Sequence, residues 1–142
     1  LTIDSSAIVA ILMREPLAAR LWQAIERSER RLISTFSVLE VTLVLSGRRK
    51  VDPRGGIASF LDDLRIVKIP FDERQLAAAQ DAFLRYGRGN HRAKLNFGDC
   101  ATYALADTTG EALLCTGDDF AGTDLALVPY QGPTGRRYRE SR

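Results

Sequence analysis

A few acidic side chains stand where a carboxylate is locally awkward, and they are the residues of this chain best suited to chemistry. Asp4 closes the short apolar run LTI, just ahead of the hydroxyls of Ser5 and Ser6. Glu40 interrupts the apolar stretch FSVLEVTLVL, Asp99 follows Gly98 at the head of CATYALA, and Asp118 and Asp119 follow ALLCTG. Taken singly, Asp99 reads first as a helix cap, since N–H groups and the helix dipole favour negative charge there. Glu40 alone reads equally well as half of a salt bridge. Together they read differently. An unpaired buried carboxylate costs on the order of several kcal/mol unless it is neutralised, paired or bound to metal. Acids gathered without a cation repel and raise one another's pKa, so such a cluster, with no base among it, predicts a hard divalent ion, Mg²⁺ or Mn²⁺. That ion orients a phosphate, acidifies bound water and offsets charge on a leaving oxygen, which points to phosphodiester hydrolysis.

Other chemistries find little support. No GxxxxGK[ST] phosphate loop occurs, and His91, the single histidine, lies in a basic loop without an adjoining nucleophile pattern; it reads as a surface or RNA-contacting residue. Cys100 and Cys115 lack zinc spacing and sit in apolar segments, as small core residues do.

The acids need a frame that brings distant segments together. With 142 residues, 45% hydrophobic and 27% charged, the chain suits one domain with a single core. Short apolar runs alternate with helical patterns. LTID reads as a strand, AIVAILM as a buried helix, and Glu15-Pro16 as the start of a helix whose Leu17, Leu21, Trp22 and Ile25 form an apolar stripe. RLIS is a second strand, leading to a helix capped by Thr35 or Ser37. Its apolar residues Val38, Leu39, Val41, Leu43, Val44 and Leu45 point nearly all round and predict a buried helix. IASFLDDL, then the strand RIVKIP, then a helix capped by Asp72 over ERQLAAAQDAFLRY continue the alternation. After the Asp99 helix come the strands ALLCT and LALVP. The pattern predicts an α/β fold whose mostly parallel sheet is covered on both faces, with ligands bound beyond the carboxyl ends of its strands.

Charge bears on the partner. The net charge is +2 and the pI about 8.7, which permits a polyanion without demanding one. An acidic site does not itself attract a polyanion, so basic residues must surround it. Arg85, Arg88, Arg92 and Lys94, which lead into Asp99, are the first candidates; Arg48, Arg49, Lys50 and Arg54 form a second group, and Arg136, Arg137 and Arg139 a third. Tyr86 and Tyr103 are candidates to stack a base. No apolar run reaches the roughly 18 residues of a membrane span and no export leader is visible, so no membrane partner is expected and the cytoplasm is the expected compartment.

Four blocks, IDSSAIVAIL, FSVLEVTLVL, NFGDCATYALA and LLCTGDDFAGTDL, resemble in content, order and separation the PIN-domain ribonucleases, and within them the VapC toxins of bacterial VapBC toxin–antitoxin pairs. The resemblance implies a three-layer α/β/α domain over residues 1–132, with a parallel sheet of four to five strands, followed by a basic tail at 133–142. It implies a Mg²⁺ or Mn²⁺ site and endonucleolytic cleavage of RNA. Asp4 and Asp99 match the family's metal-binding aspartates and Glu40 its supporting glutamate. The fourth acid is Asp119 or Asp118, with Asp119 favoured for its place beside Phe120. Ser6 and Thr116 match hydroxyl positions that assist the site. A homodimer and a VapB-type antitoxin, blocking the acidic mouth through an arginine, are implied as partners. The alternatives are a PIN-like RNA-binding module without catalysis and a HAD-like phosphatase; the latter requires DxD where this chain has Asp4-Ser5-Ser6.

Overall fold

The structure is a computed structural model and describes residues 1–130. The expected basic tail, with Arg136, Arg137 and Arg139, lies outside the described residues. Four strands, β1 (Thr2–Ile3), β2 (Leu32–Ser34), β3 (Val67–Ile69) and β4 (Leu113–Leu114), form one sheet in the order β3-β2-β1-β4. All pairings are parallel, with Thr2 opposite both Leu32 and Leu113. Around the sheet run α1 (Ser5–Leu12), α2 (Ala18–Glu26), α3 (Thr35–Arg49), α4 (Arg54–Asp63), α5 (Glu73–Tyr86) and α6 (Phe97–Thr109).

Strand alternation divides the interior into two cores, one on each face. Ile3, Ile33 and Leu114 pack with α1, α2, α3 and α4, while Leu113 and Cys115 pack with α5 and α6. Trp22 closes the first core edge-on against Phe60, 5.8 Å between centroids. Cys100 and Cys115 are both buried, as expected of core residues. The second face depends on α6, which is buried almost all round from Gly98 to Ala106. Against it α5 presents Ala79 and Ala82, small residues that let the two helices approach closely. The helix stops at Gly110, whose φ of 71° is the left-handed geometry glycine adopts freely.

Several expectations are corrected. LALVP forms only an isolated parallel bridge, Leu113 to Leu127, rather than a fifth strand. The second helix begins at Ala18, two residues past Pro16. Ser34, not Thr35 or Ser37, caps α3, its hydroxyl accepting from the Phe36 N–H at 3.1 Å. That helix is not buried all round: Ser37, Val41 and Leu45 face inward, while Leu39 and Leu43 are 53% and 64% exposed. One helix face meets the sheet, and among the described residues nothing covers Leu39 and Leu43 on the opposite side of α3. Asp72 does cap α5, accepting from Gln75 N–H at 3.0 Å. Among the described residues no helix is long and apolar enough to cross a membrane.

Candidate active site

The chain runs β1, β2, β3 in one direction across the sheet and then returns to place β4 on the other side of β1. A doubly covered parallel sheet opens a crevice at such a reversal, beyond the carboxyl ends of the strands. Asp4 stands at that point. Its backbone N–H donates to Leu114 O at 2.9 Å, and its side chain caps α1, Oδ2 accepting from Ser6 N–H at 3.1 Å. Asp4 is 5% exposed. Its other oxygen, Oδ1, accepts from the Thr102 hydroxyl of α6 at 2.7 Å, and Thr102 Oγ1 lies 3.2 Å from Ser37 Oγ of α3.

Asp99 is not the cap of α6. Asn96 is, and the two form a reciprocal capping box: Asn96 Oδ1 accepts from the Asp99 N–H at 2.9 Å and Asp99 Oδ2 accepts from the Asn96 N–H at 3.0 Å. One oxygen of Asp99 is thereby tied down beside the mouth. Burial, and then the charges of Asp4 and Asp119, push its carboxyl up to about 6 against the opposing pull of the Asn96 N–H.

Glu40 comes from α3 and lies against the backbone of α6. A Cβ on Gly98 would stand 1.9 Å from Glu40 Oε2 and 2.4 Å from its Cδ, so only glycine leaves room for the carboxylate here. Burial, followed by Asp4 and Asp99, raises the Glu40 carboxyl to about 7, with the Ser5 hydroxyl acting the other way. Its Oε1 is buried without a hydrogen-bond partner. Three carboxylates from three separate elements therefore act on one another across a single mouth, and one oxygen among them is left unsatisfied.

Asp118 and Asp119 are both exposed on the turn after β4. Asp119 is the one whose charge reaches Asp99, whereas Asp118 borders a small cavity with Leu113, Cys115 and Tyr130. Ser6 serves the frame, its Oγ accepting from the Thr116 backbone N–H at 3.0 Å and thus tying the segment after β4 to α1; Thr116 takes part through its main chain. Among the described residues no three His, Cys, Asp or Glu side chains form a ready-made group for a metal ion. The donor set nevertheless fits a hard cation. It is all oxygen, it includes the unsatisfied Glu40 oxygen, and Mg²⁺ is commonly held by one or two carboxylates while keeping several waters.

The basic residues sort by their partners. Arg88, Arg92 and Lys94 are exposed and line one concave surface with His91. Arg85 is engaged, 3.4 Å from Asp124 and stacked over the Tyr86 ring. Arg48 pairs with Glu15, Arg49 donates to Leu12 O, and Arg54 pairs with Asp52. His91 is a loop pin, its Nδ1 accepting from Ala93 N–H at 3.0 Å and its ring edge-on to Tyr86. Neither tyrosine is open to a base. Tyr103 is 2% exposed and donates to Asp124 Oδ1, and Tyr86 is half-buried between Tyr103 and His91. The sequence marks Gly98 as the glycine that keeps the approach beside Asp99 open, and the structure shows that the room it leaves is taken by Glu40. Asn96, Ser37 and Thr102 were missed as parts of the site; Asn96 three residues before Asp99 was a readable capping signal, whereas Ser37 and Thr102 act only through tertiary contact.

The sheet order and the acids at its reversal point define a doubly wound α/β domain with an acidic crevice, and the PIN-domain family profile matches residues 1–124. Similar curated proteins include a VapC ribonuclease of Mycobacterium bovis and ribonuclease VapC30 of Mycobacterium tuberculosis. Each is 41% identical over 128 residues, spanning 90% of this chain and 98% of its own length. Ribonuclease VapC of Mycolicibacterium smegmatis is 41% identical over 128 residues, with 90% and 99% covered. Among solved structures, M. tuberculosis VapC20, described as a sarcin-ricin loop cleaving toxin, superposes with a TM-score of 0.69 at 14% identity, covering 89% of this chain and 97% of that one. VapBC2 from Rickettsia felis, bound to a DNA fragment from its promoter, gives 0.66 at 14% identity, with 92% and 98% covered. The chain belongs to the PIN-domain family and, within it, to the VapC ribonucleases.

Proposed function

We propose that this chain is the toxic ribonuclease of a type II toxin–antitoxin pair, an endonuclease that hydrolyses RNA phosphodiester bonds with Mg²⁺ or Mn²⁺. The observation that carries the reading is the convergence of Asp4, Glu40 and Asp99 on one mouth, with Glu40 Oε1 buried and unpaired. Asp4 and Asp99 would hold the ion, and Glu40 and Asp119 would complete its acidic surround. When bound, such an ion makes water more nucleophilic and offsets charge on the phosphate and the leaving oxygen. The chain's own part is to hold the carboxylates in place: Thr102 and Ser6 N–H fix Asp4, the capping box fixes Asp99, and Gly98 admits Glu40.

The exposed Arg88, Arg92 and Lys94 would hold the RNA backbone, with Arg85 secondary because Asp124 already engages it. A VapB-type antitoxin is the partner that fits, since solved relatives of this fold include toxin–antitoxin complexes; an arginine from it would pair bidentately with the acids. A homodimer is the assembly that the exposed apolar face of α3 supports.

Asp99→Asn is the sharpest test, because an amide oxygen can still accept from the Asn96 N–H and keep the capping box. Cleavage of RNA should fall by more than about 100-fold, beyond the loss usual for a residue that merely supports a metal ligand. Chelation should abolish wild-type cleavage and added Mg²⁺ or Mn²⁺ restore it. Full activity in the variant, or in the presence of chelator, would refute the reading.

A further inference from the structure

One turn beneath the acids runs a line of buried hydroxyls. Thr102 lies three residues after Asp99 on α6, and Ser37 three residues before Glu40 on α3, so each hydroxyl lies on the same helix face as an acid, one turn away. Thr102 is 1% exposed and Ser37 0%. A threonine hydroxyl has one proton to give, and that proton goes to Asp4 Oδ1 at 2.7 Å. The 3.2 Å contact between Ser37 and Thr102 is then a bond donated by Ser37. The direction is fixed from α3 through α6 to the end of β1.

We propose that Thr102, backed by Ser37, is a positioning residue of the active site that sets the orientation of the Asp4 carboxylate and locks α3 and α6 in the register at which Glu40 and Asp99 face it. The inference rests on the metal-dependent nuclease reading. An ionised carboxylate offers about four acceptor positions. Thr102 occupies one on Oδ1 and the Ser6 N–H one on Oδ2, which leaves a lone pair on each oxygen for a cation or its water. A free carboxylate would rotate among many arrangements; one held at both oxygens by donors from different elements has a single orientation. Donors behind a metal-binding side chain typically govern metal affinity or activity by about 10- to 100-fold.

Thr102→Val keeps the branched shape and removes the donor, Thr102→Ser keeps the donor and removes a methyl, and Ser37→Ala removes only the backing bond. Mn²⁺ binding by calorimetry, with cleavage of an RNA oligonucleotide read as separate kcat and KM, distinguishes them. Thr102→Val should bind Mn²⁺ about 10- to 100-fold more weakly and lose kcat with KM for RNA unchanged. Thr102→Ser should restore both to near the wild-type level, and Ser37→Ala should weaken Mn²⁺ binding by a smaller factor. Wild-type Mn²⁺ affinity in a folded Thr102→Val overturns the proposal, as does equal damage in Thr102→Ser, which would make the role one of packing. If Thr102→Val does not fold, Ser37→Ala decides, and unchanged Mn²⁺ affinity there overturns it. Failure of the wild-type protein to bind Mn²⁺ or to cut RNA would instead strike the nuclease reading itself.

Discussion

Gly98 shows how much of the site depends on a single missing methyl group. A Cβ there would lie 1.9 Å from Glu40 Oε2, but the atoms it meets are the far end of a side chain, which can swing away. Alanine inside a helix is favoured over glycine by up to about 1 kcal/mol. Release of Glu40 from its buried place also relieves the desolvation that raises its pKa. Gly98→Ala should therefore fold with unchanged or higher thermal stability while losing at least about 10-fold in cleavage, the lower end for a displaced supporting group. Wild-type turnover in that variant would show that Glu40 need not lie where it does. The same repulsion predicts an unusual pH response. Folding raises Glu40 from 4.5 to about 7 and Asp99 from 3.8 to about 6, so between those limits the folded state binds more protons than the unfolded one. Stability must then fall as pH rises from about 4 to about 7. Carboxyls that folding lowers, such as Glu111 and Asp124, shift in the opposite sense and lose their contribution only in acid, below that window. Thermal melts of metal-free protein should show a higher Tm at pH 5 than at pH 8, a slope that flattens in Asp99→Asn or on adding Mg²⁺. An equally steep slope in that variant would place the repulsion elsewhere.

At the level of elements, the sequence shows most clearly what is local. Alternating short apolar runs and helical patterns were enough to expect a covered parallel sheet, and Asp4 and Asp99 could be placed at element junctions from their neighbours alone. Caps were harder, because the residue that captures a free N–H depends on where the chain leaves its strand. That is why Ser34 and Asn96 take roles that Thr35 or Ser37 and Asp99 appeared suited to. Thr102 gave no sign at all; a threonine in an apolar helix acquires a partner only when β1 arrives beside it. The Asn96 cap carries its own prediction. Asn96→Ala removes an acceptor from the Asp99 N–H and should cost about 1 kcal/mol, the usual price of a lost N-cap, seen as a Tm lowered by a few degrees. Asn96→Asp, which supplies the same acceptor, should recover it. A loss in both variants alike would mean that the cap is not what Asn96 contributes.

At the scale of the whole domain, the described residues leave more apolar surface exposed than a lone copy needs. On α3, Phe36, Leu39 and Leu43 recur at i, i+3 and i+7, a single stripe of which Leu39 and Leu43 are mostly exposed. On α5, Leu76, Phe83 and Leu84 are 47%, 43% and 71% exposed. The rings of Phe36, Phe71 and Phe97 join the two helices, Phe36 lying 4.9 Å from Phe97 and 5.7 Å from Phe71, and Phe97 is 82% exposed. Monomeric proteins rarely leave contiguous apolar patches larger than a few hundred Å² uncovered, and the apolar pattern of α3, read alone as a sign of burial, makes physical sense if a second copy completes it. A two-fold pairing would use the same face on both copies, so one charge introduced there is introduced twice and opposes itself. Leu43→Glu or Leu84→Glu should halve the mass seen by light scattering, while circular dichroism and melting remain close to wild type, since neither side chain belongs to the two cores. An unchanged mass in both variants, or a wild-type protein that is already monomeric at micromolar concentration, would assign this surface to some other partner.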